Sequence, residues 1–209
     1  MTQIKELGRE ARHSLGAARW PILDAPAHVD PVPGLYAIHA HEATWSELRI
    51  EHRPGIPLYV GKSERSLVDR ELGEHFAIDP AVPARTGGST VRRSFAALLR
   101  ETLRLHGVPR NKSNPGHFPN YGLEPDADER LTEWMHDRLA IAIWTMPPSL
   151  PIARLEEVET DVIRTWTPPI NIRRNPERLR NLRVARAIMA DEARAWMPHE
   201  LLNGKPHGK

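Results

Sequence analysis

Gly34-Leu35-Tyr36-Ala37-Ile38-His39-Ala40 is followed, after the 16 residues from His41 to Ile56, by Pro57-Leu58-Tyr59-Val60-Gly61. Each run is short, apolar and bounded by glycine or proline, so each reads as a strand. Two such strands so near in sequence read as an antiparallel pair. Both carry a tyrosine close to a glycine, and glycine in a strand lets a ligand or a second backbone approach. A third strand is predicted over Asp137 to Met146, around Leu139-Ala140-Ile141-Ala142-Ile143-Trp144.

Helical spacing of apolar residues surrounds these strands. It predicts a helix over 2–20 on Ile4, Leu7, Ala11, Leu15 and Ala18, and a second over Ser66 to Phe76. A third runs from Ser89 to Leu105, with Val91, Phe95, Leu98, Leu99 and Leu105 inward and its arginines outward. Further helices follow over Pro151 to Trp166 and Pro176 to Met197. The Pro-rich stretch from Ala25 to Pro33 reads as a linker or arm, and residues 107–127, rich in Pro, Asn and Gly, as a long surface loop. The expected fold is mixed α/β: a small, mainly antiparallel three-stranded sheet flanked by helices, with helical extensions at both ends.

The composition restricts the chemistry. The 209 residues carry a net charge of only +2 and no cysteine, which excludes disulfide frameworks, thiolate metal sites and cysteine nucleophiles. No apolar run approaches the roughly 18–20 residues of a membrane span, and Met1 to Trp20 has no apolar secretory core. A cytoplasmic protein without a membrane partner is expected. The small net charge hides two basic blocks. Residues 85–112 hold seven Lys/Arg against Glu101 alone, and residues 171–186 hold six Arg against Glu177 alone. Such blocks point to a polyanionic partner. Arg92, Arg93, Arg100, Arg173 and Arg174 are the expected nucleic-acid contacts.

One polar residue stands out in the helix over 151–166. Leu155, Val158, Val162, Ile163 and Trp166 form its inward stripe, and Glu159 falls on the same face. A carboxylate there is costly unless it is paired, metal-bound or at a pocket.

Taken together, Gly34-Leu35-Tyr36, Tyr59-Val60-Gly61, Lys62-Ser63, Ser66-Leu67, Arg70, His75, Glu159, Pro168 and Asn171 stand in an order that resembles the GIY-YIG nuclease family. Glu159 precedes Ile163 by four residues and Asn171 by twelve, as the family pattern asks. Leucine and valine replace the middle isoleucines of the two strand motifs. The likeness covers 33–77 and 139–172. It implies an N-terminal helix and Pro-rich arm over 1–32, a nuclease domain over 33–172 with an insertion at about 80–138, and a basic C-terminal helix and tail over 173–209.

The resemblance implies a Mg²⁺-dependent endonuclease, or one using another divalent cation such as Mn²⁺. It would hydrolyse nucleic acid to a 5′-phosphate and a 3′-hydroxyl, with DNA favoured over RNA. The rival is a catalytically silent nucleic-acid-binding module using the same basic surfaces. Glu159 is the implied metal ligand, and Arg70 can fork two hydrogen bonds onto phosphate. A tyrosine is the implied general base. Tyr36 is assigned that role and Tyr59 a hydrogen bond to water or phosphate, with exchange of the two left open. Lys62 follows the second motif, and a nearby cation favours tyrosinate. His75 is placed to contact phosphate or shuttle a proton, unless it is a capping or surface histidine. Asn171 would orient Glu159 or the loop beside it.

Three rival motifs fall away. Gly61-Lys62-Ser63 resembles the end of a P-loop, but Ile56 stands where that motif needs glycine. His39 and His41 share a strand face without an evident third metal ligand and read as surface histidines. Asn111-Lys112-Ser113 fits a glycosylation acceptor, without a secretory signal to support it.

Overall fold

The computed structural model describes residues 2–68, 75–76, 85–113 and 115–196. The element order begins with helix α1 (Thr2–Ala17), strand β1 (Trp20–Pro21), strand β2 (Gly34–Ala40), helix α2 (Glu42–Glu47) and strand β3 (Tyr59–Ser63). It continues with helices α3 (Thr90–Leu98) and α4 (Pro125–Arg138), strand β4 (Leu139–Thr145), and helices α5 (Leu155–Trp166) and α6 (Arg180–Ala195). Among the described residues the sheet has four strands in the order β1-β4-β2-β3, paired antiparallel throughout. The fold is mixed α/β, as expected. The added strand is the two-residue β1, too short to carry a period-2 pattern.

The register explains both strand glycines. Gly34 lies opposite Thr145 on β4, and a Cβ there would collide with the Trp144 carbonyl. Gly61 lies opposite Tyr36, and a Cβ there would fall inside the Tyr36 phenol. Glycine at 61 is therefore what lets the Tyr36 ring lie across β3.

The sheet has a core on each face. Leu35, Ala37, Val60, Ala142 and Trp144 pack against Ala11 and Leu15 of α1 and Leu155, Val158, Val162 and Ile163 of α5. The small cross-strand pair Ala37–Ala142 leaves room for these helices. Tyr36, Ile38 and Ile141 face the larger cluster, to which Phe95 of α3, Leu131 of α4 and Met189 of α6 belong.

Several expectations change. The Pro-rich arm is part of the core: a 3₁₀ helix over Ile22–Ala27 buries Ile22 and Ala25. His39 is buried rather than on the surface, with its Nε2 2.8 Å from the Leu15 carbonyl, which anchors the end of α1 to β2. The loop predicted over 107–127 ends early in α4, whose Ala127, Leu131, Trp134 and Met135 are buried at helical spacing. Proline at its start and Asp126 and Asp128 in its first turn suit a helix N-terminus. The arginines of α3 do not face outward. Arg92 is fully buried and Arg93 nearly so. Most of the helix predicted over Ser66 to Phe76 lies outside the described residues.

Candidate active site

β3 is the open edge of the sheet, and the segment after α5 closes it. The Asn171 side chain stands where a neighbouring strand would: Oδ1 accepts from the Val60 N–H at 2.8 Å and Nδ2 donates to the Val60 carbonyl at 2.7 Å. Ile170 N–H donates to the Leu58 carbonyl at 2.9 Å beside it. Arg53 holds the C-terminal end of α5, donating to the carbonyls of Trp166 and Thr167 at 3.0 and 2.9 Å. Those carbonyls have no partner within the helix, and a cation suits this end of the dipole. Asn175 Nδ2 donates to the Pro168 carbonyl at 2.7 Å, which fixes the Pro168-Pro169 turn. Asn171 thus acts on the β3 backbone between Tyr59 and Gly61, and its hydrogen bonds go to Val60 rather than to Glu159.

A cleft of about 530 Å³ opens at this edge. It gathers Tyr36, Tyr59, Lys62, Glu159, Asn171, Arg173 and Arg174, which sequence reasoning had selected from segments more than a hundred residues apart. The Tyr36 and Tyr59 rings lie 6.0 Å apart between centroids. Tyr36 Oη is 2.9 Å from His75 Nε2, and His75 Nδ1 is 2.8 Å from Ser89 Oγ. When Nδ1–H donates to Ser89, Nε2 is left as an acceptor for the phenol proton. His75 is buried, so it is neither a surface nor a capping histidine. Ser89 is also the N-cap of α3, accepting from Arg92 N–H at 3.1 Å. The helix cap and the histidine therefore share one hydroxyl.

Glu159 is only 6% exposed, and Arg174 Nη1 contacts its carboxylate at 2.7 Å. Burial pushes its pKa up to about 7, although Arg174 and Lys62 pull the other way. The nearby cations thus leave part of the carboxylate's desolvation cost unmet. Lys62 pairs with Glu64 and lies 3.7 Å from Glu156. Among the described residues no group of three His, Asp or Glu side chains converges on a metal position. One hard carboxylate beside an open cleft nevertheless fits Mg²⁺, which keeps most of its waters and takes one or two carboxylates plus phosphate oxygens.

The remaining expected contacts divide. Arg70 lies outside the described residues. Arg92 is removed from any surface role: its guanidinium contacts Asp128 at 3.1 Å and donates to the His75 carbonyl at 3.0 Å. Arg100 joins α3 to α6 through Glu192 at 2.7 Å and also pairs with Glu101, so its charge is compensated within the chain. Arg93 does reach the cleft, from a buried position, and Arg186 joins it from α6. Ser89 and Arg186 were not singled out from sequence as site residues. Ser89 was visible only as the first residue of a predicted helix and Arg186 only as one charge in a basic block.

A family model of the GIY-YIG catalytic domain matches residues 34–188. The chain belongs to the GIY-YIG family. It is a nuclease by that membership, a phosphodiester hydrolase acting on nucleic acid. The match spans the strand pair, the α3–α4 region, α5 and half of α6, so residues 80–138 lie within the GIY-YIG domain as matched. No curated protein and no solved structure matches the chain. Among the described residues no helix is long and apolar enough to cross a membrane.

Proposed function

We propose that the protein is a divalent-metal-dependent endonuclease that cleaves DNA, leaving a 5′-phosphate and a 3′-hydroxyl. The observation that supports it best is the gathering of both strand tyrosines, Lys62, Glu159 and arginines in one cleft. In this reading residues 33–172 are the catalytic domain and 173–209 a basic extension to it.

Tyr36 is the general base. A phenol is by itself a poor base at neutral pH, and the His75 imidazole, with Nε2 2.9 Å from the phenol oxygen, is positioned to take the phenol proton. Water then gives its proton to Tyr36 Oη, its oxygen bonds to phosphorus, and the bond to the 3′ oxygen breaks, that oxygen taking a proton from solvent to leave as the 3′-hydroxyl. Tyr59 orients the water or a phosphate oxygen. Arg173, Arg174 and Lys62 place positive charge where the phosphate charge grows, and Arg70 is the proposed phosphate fork. Glu159 would hold Mg²⁺ or Mn²⁺, which when bound supplies charge neutralisation at the phosphate and the departing oxygen. Arg174 would then pass from Glu159 to the substrate.

Incubation of supercoiled plasmid with Mg²⁺ or with EDTA, followed by end-mapping, tests the reading. Nicking should require the metal, and Glu159→Gln should lower it by at least about 10²-fold. Cutting that persists in EDTA would remove the metal from the mechanism. Binding without nicking in any divalent cation would instead support the silent-module reading.

A further inference from the structure

Arg92 and Arg93 are neighbours on α3 with opposite surroundings. Arg92 is matched: Asp128 supplies a carboxylate at 3.1 Å, the carbonyls of His75 and Asp128 accept at 3.0 Å each, and Thr132 Oγ1 accepts at 2.8 Å. Arg93 is only 6% exposed and has neutral partners alone. Its Nη1 donates to the Gly87 carbonyl at 2.7 Å and its Nη2 to Thr90 Oγ1 at 3.0 Å, while the buried Nε makes no hydrogen bond. Arg186 comes from α6 to the same place. Its Nη1 donates to Ser94 Oγ at 3.1 Å and to the Thr90 carbonyl at 3.5 Å, again neutral acceptors. Among the described residues neither guanidinium forms an ion pair with a carboxylate.

Two like charges, one buried and one half-buried, without an anion between them, cost free energy in the ligand-free protein. Burial first, then the Arg186 charge, lowers the Arg93 pKa to about 10, and burial likewise lowers that of Arg186. Guanidinium keeps its proton under such conditions at neutral pH, so both charges stay and need a counter-ion. Both side chains line the catalytic cleft, with Thr90 and Asn120 beside them. Arg186 is also close enough to Tyr59 for the two to interact electrostatically.

We propose that Arg93 and Arg186 form a second anion site in the cleft, which takes a phosphate of the bound strand next to the one being cleaved. This rests on the reading of the cleft as a nuclease site. A phosphate would supply the missing negative charge and accept from the unpartnered Arg93 Nε–H. Phosphate contacts carry no base information, so the pair sets the path of the strand rather than its sequence. Both arginines stand on helices beyond the strand motifs, so the insertion and the basic C-terminal helix grip the substrate together.

The test uses Arg93→Met, Arg186→Met and the double variant, in a Glu159→Gln background that prevents turnover. Duplex DNA binding is measured over a salt series. Each single replacement should weaken binding by about 10-fold, the scale of one charge-assisted hydrogen bond. The double variant should make the log–log salt slope shallower by about 0.9, the value for the one phosphate that the pair takes. Inorganic phosphate should raise the wild-type Tm, and that rise should shrink in the double variant, where only the cations at the scissile phosphate remain. Without phosphate the Met variants should melt at or above wild type, because a buried like-charge pair has been removed.

Unchanged affinity and slope in the double variant would overturn the site, as would a phosphate-induced Tm rise that is undiminished there. Arg186 is only half-buried, so Arg186→Gln carries the same test if Arg93→Met does not fold. Failure of the nuclease reading is distinguishable. Wild-type protein that never nicks plasmid with Mg²⁺ refutes catalysis, whereas the phosphate response reports the arginine pair without any cleavage.

Discussion

Replacing Asn171 separates a support for β3 from a participant in the reaction. Asn171→Ala removes two hydrogen bonds at once and leaves the Val60 N–H and carbonyl without their partner. An unsatisfied buried polar group costs about 1–3 kcal/mol. Water can reach an edge strand once the clasp is gone, so the lower part of that range applies to each group. The expected loss is about 2–3 kcal/mol in all. Asn171→Asp keeps the acceptor for Val60 N–H but sets a second oxygen against the Val60 carbonyl. That contact is tolerable only when the acid is protonated. The folded-state pKa of the new acid should therefore lie above its unfolded value. The penalty relative to wild type should be full at pH 7.5 and shrink at pH 5. Urea denaturation of the three proteins at both pH values measures these differences, and hydrogen exchange at the Val60 amide reports the clasp directly. A Val60 amide as protected in Asn171→Ala as in wild type, with an unchanged urea midpoint, would refute the reasoning and return Asn171 to the reaction itself.

Tyr36→Phe should abolish nicking at every pH, and His75→Ala should lower it by about 10²–10⁴-fold, the scale of a lost acid–base group. A pH–rate profile of His75→Ala that overlays wild type would detach the histidine from the base. Gly61→Ala should inactivate the enzyme with the fold retained by circular dichroism, because a Cβ there displaces the Tyr36 phenol from His75. Wild-type activity in that variant would mean that the ring does not need to cross β3. Burial first, then the Arg19 charge, lowers the His39 pKa to about 4 from 6.5, so between those values the unfolded chain binds the extra proton. The His39 contribution to stability should be flat above pH 6.5 and fall by about 3 kcal/mol as pH drops through that window, opposed there by Glu159, whose pKa of about 7 lies above its unfolded value. The difference in urea midpoint between wild type and His39→Gln isolates the histidine, and a difference that does not change with pH would place the titration elsewhere.

The strand pair and α5 were legible in sequence because short-period apolar patterns sit between strong punctuating residues there. Glu159 was legible for a related reason: a carboxylate on an apolar stripe is conspicuous. The α3 arginines were misread because composition records charge but not its partner. Asp128, which neutralises Arg92, lies on a helix that Pro- and Gly-rich surroundings had hidden. Ser89 and Arg186 join the cleft through tertiary contacts alone, and local spacing carries no trace of these. Asn171 was found for its position but given another target, since only the register shows the Val60 backbone opposite it.

The family match starts at Gly34, yet α1 and β1 lie before it and complete the sheet. Without them β4 would become a bare edge strand, its N–H and carbonyl groups open to any other extended chain. The face bearing Leu35, Ala142 and Trp144 would lose Ala11 and Leu15 at the same time. An unpaired edge next to a stripped apolar face is how sheets come to stack and aggregate. The first thirty or so residues thus cover part of the β4 edge and one face of the sheet.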